Sequence, residues 1–197
     1  MSESSVPYPV DNFPVYILPI LDIEGGSTYT DNPDDPGHGT IYGITQTTAL
    51  AAGYSGDLAE MCQDDAIAIY RTLYWEVPGF DQIDQIMPEL AQYMLEIGIN
   101  MGPAWPSEFL QRALNVMNDR AMLYPNVHVD GRCGPLTRSA LESYLAARPV
   151  SQAGDAVLMG VMRALAVERY IGIAERSPVM AMFEYGWLRN RALDLNI

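Results

Sequence analysis

LDIEGGSTYTDNPDDPGHGTIYGIT, residues 21–45, is the stretch in which the periodicity of the chain changes. Upstream, Phe13, Ile17, Ile20, Leu21 and Ile23 recur at helical spacing, with Pro14 suited to a first turn and Gly25-Gly26 to a stop. Pro19 should kink this helix or delay its start, because the ring removes a donor and crowds the preceding turn. Residues 25–45 then hold five glycines and two prolines, with β-compatible residues around Ile41 and Tyr42. That composition predicts a long loop plus a small hairpin, and loops of such length in compact domains are more often functional than incidental.

Working outward, residues 1–12 are polar and proline-bearing, an expected N-terminal arm or surface strap. Thr45 is placed to cap a short helix reaching about Ala52, and Asp64-Asp65 stand at the start of another carrying Ile67, Tyr70, Leu73 and Tyr74. Leu90, Met94, Ile97 and Met101 mark a further helix. Phe109, Leu110, Ala113, Leu114 and Met117 mark the next, and Val157, Leu158, Val161, Met162, Leu165 and Tyr170 a longer one. Between these, HVDGRCGPLTRSALESYL (128–145) reads as a turn cluster feeding a helix, with Thr137 as its cap. The chain is expected to be mainly α, in three segments packed as one body: the arm at 1–12, a lobe at 13–105 and a helical lobe at 106–197.

The composition narrows the chemistry. With 197 residues and 49% hydrophobic side chains the chain can build a true core. A formal charge of -14 has the wrong sign for gripping nucleic acid or an anionic membrane. All eleven basic residues are Arg, which excludes Lys general bases, Schiff bases and a P-loop Lys. Cys62 and Cys133 form no CxxC and are expected as free thiols, and two histidines without ligand spacing argue against a metal site. The N-terminus lacks a secretory pattern and no window is long enough to span a membrane, so synthesis in the cytoplasm is expected.

Carboxylates and hydroxyls remain. Glu24 follows Leu21 and Ile20 by three and four residues, on the stripe facing the core and at a helix end. Burial and the negative end of the dipole both raise a carboxyl pKa, as a general acid requires; the plain alternative is a Glu exposed where the helix frays. Asp31, Asp34 and Asp35 crowd the following loop and Thr40 opens the hairpin. A glycosidase needs a second carboxyl group or a held water across the sugar, although such residues also simply make turns. Trp75, Trp105, Trp187 and the tyrosines offer stacking faces or ordinary core. Glu96 and Asn100 share a helix face at i and i+4, able to reach a ligand jointly or to remain solvated.

The 21–45 segment resembles the signature of glycoside hydrolase family 108, the phage and bacterial N-acetylmuramidases, in which E-G-G precedes a D-P-G-G-x-T loop and then G-I-T. DDAIAIYRTLYWE, LEIGINMGP, FLQRALNV, VDGRCGPLTRSAL and GWLRNR follow in the same order, so the resemblance spans about residues 15–192. It implies a lysozyme-like α+β fold with a small β-hairpin beside the active-site cleft, and a C-terminal part similar to a peptidoglycan-binding region. It implies Glu24 as general acid, with Asp35 and Thr40 holding the attacking water and an inverting outcome; Tyr42, Trp75, Glu96 and Asn100 are the residues expected to bind substrate. No cofactor or metal is implied. The expected partner is peptidoglycan, with a monomer acting in the periplasm or wall after holin-type release, on a virion, or as a secreted toxin.

Three positions depart from the family pattern. Ser27 stands where an aromatic usually follows E-G-G, with Tyr29 two residues later; His38 replaces the second glycine of D-P-G-G; and Glu96 replaces an Asp. A chitinase or chitosanase and a non-catalytic virion or wall-binding protein are the rival readings. The acidity predicts slow association with anionic walls at low salt and better activity at higher ionic strength.

Overall fold

The computed structural model describes residues 11–23, 26–30, 39–176 and 184–189. The first ten residues of the expected arm, together with Glu24, Asp31, Asp34, Asp35 and His38, lie outside the described residues. The molecule is mainly helical with one two-stranded antiparallel sheet, as the fold class anticipates. It divides into two compact units, Met1–Val77 and Pro78–Ile197. No helix among the described residues is long and apolar enough to cross a membrane.

In the first unit, α1 spans Phe13–Ile23 and runs through Pro19 unbroken. The reason lies in the helix's orientation. The missing donor of Pro19 faces the carbonyl of Val15, and both residues sit on the exposed side, where solvent can take the bond. Phe13, Ile17 and Leu21 are fully buried on the opposite side. Each contributes about 1.5–3 kcal/mol of burial. Asp11 is fastened to α3 (Gln63–Arg71) by a two-point pairing with Arg71, at 2.8 and 3.3 Å, and the Arg71 guanidinium lies 4.6 Å from the centre of the Phe13 ring.

The hairpin joins β1 (Thr40–Ile41) to β2 (Ile44–Thr45), with Thr40 opposite Thr45 and Ile41 opposite Ile44. Its two turn residues, Tyr42 and Gly43, both have positive φ, 51° and 73°. This is the turn whose twist suits paired strands. Thr45 then caps α2 (Gln46–Ala51), its hydroxyl accepting from the Thr48 amide at 3.2 Å, as expected. A capping box between Cys62 and Asp65 opens α3. A π-helical turn, Thr72–Glu76, continues it.

The second unit contains α4 (Phe80–Asp84), α5 (Pro88–Met101), α6 (Ala104–Met117), α7 (Pro135–Ala147) and α8 (Gly154–Arg176). Helix α5 packs on α4 and α6, and α6 on α7 and α8. Leu90, Met94, Ile97, Phe109, Leu110, Leu114, Leu141, Leu158, Met162 and Tyr170 fill the core. Two expectations need correction. Val157 is 51% exposed, so α8 buries a narrower face than its apolar spacing suggests. Thr137 does not cap α7: Gly134 is the cap and Pro135 the first helical residue, which leaves Thr137 inside, 3% exposed and bonded to Gln111.

Between α6 and α7 the chain returns as a strap, residues 119–132, tied down by three carboxamides spaced at i, i+4 and i+7: Gln111 and Asn115 of α6 and Asn118 at its C-terminal cap. Asn118 accepts from the Ala121 amide at 2.9 Å and donates to Asn126 at 2.6 Å. Asn115 both donates to and accepts from the backbone of Val127, at 2.8 Å each. Gln111, 1% exposed, accepts from the amides of Asp130 and Gly131 and donates toward Asp130, the Arg132 carbonyl and Thr137. Such clamps hold Asp119, Arg120 and Ala121 in three successive left-handed conformations, which side chains rarely adopt. Both cysteines are free thiols. Cys62 is exposed, while burial pushes Cys133 up to about 12 despite its contact with Ser107.

Candidate active site

In the first unit the described ends of the signature loop converge on the hairpin. Past the end of α1 the amide of Gly26 returns to the Leu21 carbonyl at 3.1 Å, and the Gly26 carbonyl accepts from the Tyr42 amide at 2.9 Å. Four residues on, Thr30 and Thr40 exchange both backbone hydrogen bonds, at 2.9 and 2.7 Å, and the Thr30 hydroxyl also reaches the Thr40 carbonyl. Glu24 stands two residues before Gly26 in the sequence, and Asp35 lies between Thr30 and Thr40. Gly26 and Thr30, the described residues that follow Glu24 and precede the stretch holding Asp35, are thus both bonded to the hairpin.

Gly39 lies between that loop and β1 with φ +73°, and a Cβ there would fall on the ring of Tyr29. Glycine is required both for the backbone conformation and for the close approach. Tyr29, 42% exposed, is therefore seated against Gly39. No periodicity pointed to this contact; the only sequence signal was the displaced aromatic after E-G-G.

The other expected site residues have distinct surroundings. Tyr42 is buried, and its carbonyl accepts from the Tyr70 hydroxyl at 3.0 Å, so it is a fixed corner of the hairpin. Trp75 is 2% exposed, with its ring 5.5 Å from Phe13 and 5.9 Å from Tyr16. A ring so enclosed has no free face for a sugar and belongs to the core. Trp105 is capped on one face by the Arg169 guanidinium at 3.6 Å. Only the backbone of Trp187 is described, within the short helical turn Glu184–Trp187.

Glu96 and Asn100 belong to the second unit and share a face of α5. The carboxylate of Glu96 accepts from Gln92 at 3.0 Å, and Asn100 accepts from the Tyr170 hydroxyl of α8 at 2.7 Å. Glu96 also borders a hollow of about 70 Å³ with Glu89, Gln92, Tyr93, Met159 and Arg163. The Arg163 guanidinium lies 5.7 Å from the Tyr93 ring centre and 3.9 Å from Glu89. This polar stripe of carboxylate, carboxamide and guanidinium can hydrogen-bond hydroxyl and acetamido groups.

Comparison with known proteins supplies the class. The chain carries a glycosyl hydrolase domain followed by a peptidoglycan-binding domain. Residues 17–102 match the family described as Glycosyl hydrolase 108, and residues 105–192 match that described as Predicted Peptidoglycan domain; the N-terminal domain is thus a family 108 member. Among solved structures, Brucella abortus SagA is similar over 92% of this chain and 94% of its own, with a TM-score of 0.63 and 23% identity. That likeness concerns the fold. No curated protein matches significantly. The family boundary near residue 103 and the boundary between compact units at 77/78 do not coincide. Helices α4 and α5 belong to the hydrolase match yet pack in the unit that carries the peptidoglycan-binding match.

Proposed function

We propose that the protein is an N-acetylmuramidase, hydrolysing the β-1,4 bond between N-acetylmuramic acid and N-acetylglucosamine in peptidoglycan. Glu24 is the general acid that protonates the glycosidic oxygen. Asp35 and the Thr40 hydroxyl hold the water that attacks the opposite face of the sugar, which inverts the anomeric centre. Glu96 and Asn100 are assigned to substrate, and Tyr42 to shaping the hairpin; Trp75 is not retained as a sugar contact. The reading requires no cofactor.

The observation that carries this reading is the shared anchorage. Gly26, two residues after Glu24, bonds to Tyr42, and Thr30, which precedes the stretch holding Asp35, bonds to Thr40. An acid and a water-holding carboxylate on separate stretches of chain need such a common support to face one bond. The family 108 match over residues 17–102 supports the glycosidase chemistry, and the match over 105–192 supports peptidoglycan as the polymer.

The test is lysis of outer-membrane-permeabilised Gram-negative walls by the wild-type protein beside Glu24→Gln, with analysis of the new reducing ends. The variant is expected to lose about two orders of magnitude or more with its fold intact. Muramic acid at the reducing end identifies the bond. Equal activity of the two proteins would move the acid to another carboxyl group. We place the enzyme's work at the bacterial wall as a monomeric phage endolysin, a setting supported by the resemblance to phage muramidases. Expression inside a host with and without a holin tests it: lysis should need the holin.

A further inference from the structure

A hollow of about 310 Å³ lies in the second unit between α4 and the first two turns of α7, bordered by Gln82, Gln85, Ile86, Arg138, Ser139 and Glu142. Its volume is at the lower end of the range for small-molecule sites. Residues 138, 139 and 142 share one face of α7. The α4 side belongs to the hydrolase match and the α7 side to the peptidoglycan-binding match.

Arg138 is the distinctive group. In a chain with 25 acidic and 11 basic residues its partner among the described residues is a neutral carboxamide: it donates through Nη1 to the Gln82 side-chain oxygen. Gln82 is held in turn by donating to Asp81 at 2.7 Å. No carboxylate among the described residues pairs with Arg138. A guanidinium oriented this way, at the positive end of α7, suits a carboxylate. Glu142, one turn farther along the same face, presents the opposite charge. None of the residues bordering the hollow is aromatic, so it lacks the stacking surface that a pyranose ring uses. The two glutamines supply donors and acceptors for amide groups.

We propose that this hollow binds the peptide part of peptidoglycan. Arg138 takes a carboxylate and Glu142 an ammonium group of a stem peptide whose diamino acid carries both on one carbon, while Gln82 and Gln85 bond its amides. The assignment rests on the peptidoglycan reading above but is independent of which glycosidic bond is cut. Through this hollow the protein holds the wall by its peptides while the family 108 domain acts on the glycan.

The test is calorimetric titration of the full chain with the sugar-free tetrapeptide alanyl-γ-glutamyl-diaminopimelyl-alanine. The same peptide acetylated on the side-chain amine of its diaminopimelyl residue and the peptide-free disaccharide GlcNAc–MurNAc serve as comparisons. The tetrapeptide should bind. Arg138→Gln should weaken it about tenfold, and acetylation or Glu142→Gln should each weaken it several-fold, with circular-dichroism melts unchanged. Absence of tetrapeptide binding, equal binding by Arg138→Gln, or displacement of the peptide by the disaccharide would overturn the proposal. A chain that binds the tetrapeptide yet leaves wall glycan uncut would sink the muramidase reading alone, and one that cuts glycan without binding the peptide would sink this one alone.

Discussion

Residues 119–132 are tied to α6 and its C-terminal cap by the carboxamides of Gln111, Asn115 and Asn118, whereas the described residues between 26 and 45 close on one another through their own backbones. The first arrangement uses side chains of a rigid helix at fixed intervals and buries the key amide almost completely. The second uses three backbone bonds, one from Tyr42 to Gly26 and two between Thr30 and Thr40, at the base of a stretch rich in carboxylates in its sequence. A connection that only has to hold shape can be specified by its neighbour. A connection that carries reactive groups has to be closed at its base and left to its own residues beyond it.

The strongest attempt to break this comparison is Gln111→Leu. It removes the acceptor of two backbone amides and the donor to three oxygens, and should lower stability by about 3 kcal/mol in denaturant titration. A loss well under 1 kcal/mol would show that the strap holds without its carboxamides. Gly39→Ala probes the other region. The strained φ and the overlap with Tyr29 should cost about 1–2 kcal/mol. Combining it with Tyr29→Ala should recover the overlap but not the backbone strain. Full recovery would mean that positive φ at residue 39 is unimportant.

A finer comparison uses protons. Hydrogen bonds from the Gln111 side chain, then from the Arg132 amide, hold the Asp130 carboxyl below its ordinary value. A carboxyl depressed in the folded state stabilises above its unfolded pKa, and that contribution fades as pH falls through the folded value. Asp130 should therefore titrate below the usual carboxylate range by NMR, and Gln111→Leu should raise its midpoint. An Asp130 midpoint identical in both proteins would separate the strap's electrostatics from its clamp.

Much of the helical frame was legible because single faces repeat. Phe13, Ile17 and Leu21, then Leu90, Met94 and Ile97, mark buried stripes that the structure keeps. Thr45 is a cap by the same local logic that made Thr137 look like one. Thr137 was misread because Gly134-Pro135 already supply the cap and first residue, and its hydroxyl is claimed by Gln111, 26 positions away. Pro19 was overweighted because its carbonyl partner faces solvent, which no local pattern reveals. Trp75 could not be sorted from the sequence either: whether a ring is core or platform depends on Phe13 and Tyr16, about 60 residues upstream. The groups bordering the α4–α7 hollow were unreadable for the same reason, since Gln82 and Arg138 meet only after folding.

The carboxamide clamps also bear on the order in which the chain assembles. Their sequence separations grow from the helix end outward: Asn118 to Asn126 spans 8 positions, Asn115 to Val127 spans 12 and Gln111 to Asp130 spans 19. Each clamp, once made, leaves only a few free residues for the next to close, so the loop-closure entropy arrives in small instalments. The strap is built to zip from its tip toward α7 as soon as α6 is helical, carrying the start of α7 to its place with mostly short-range contacts.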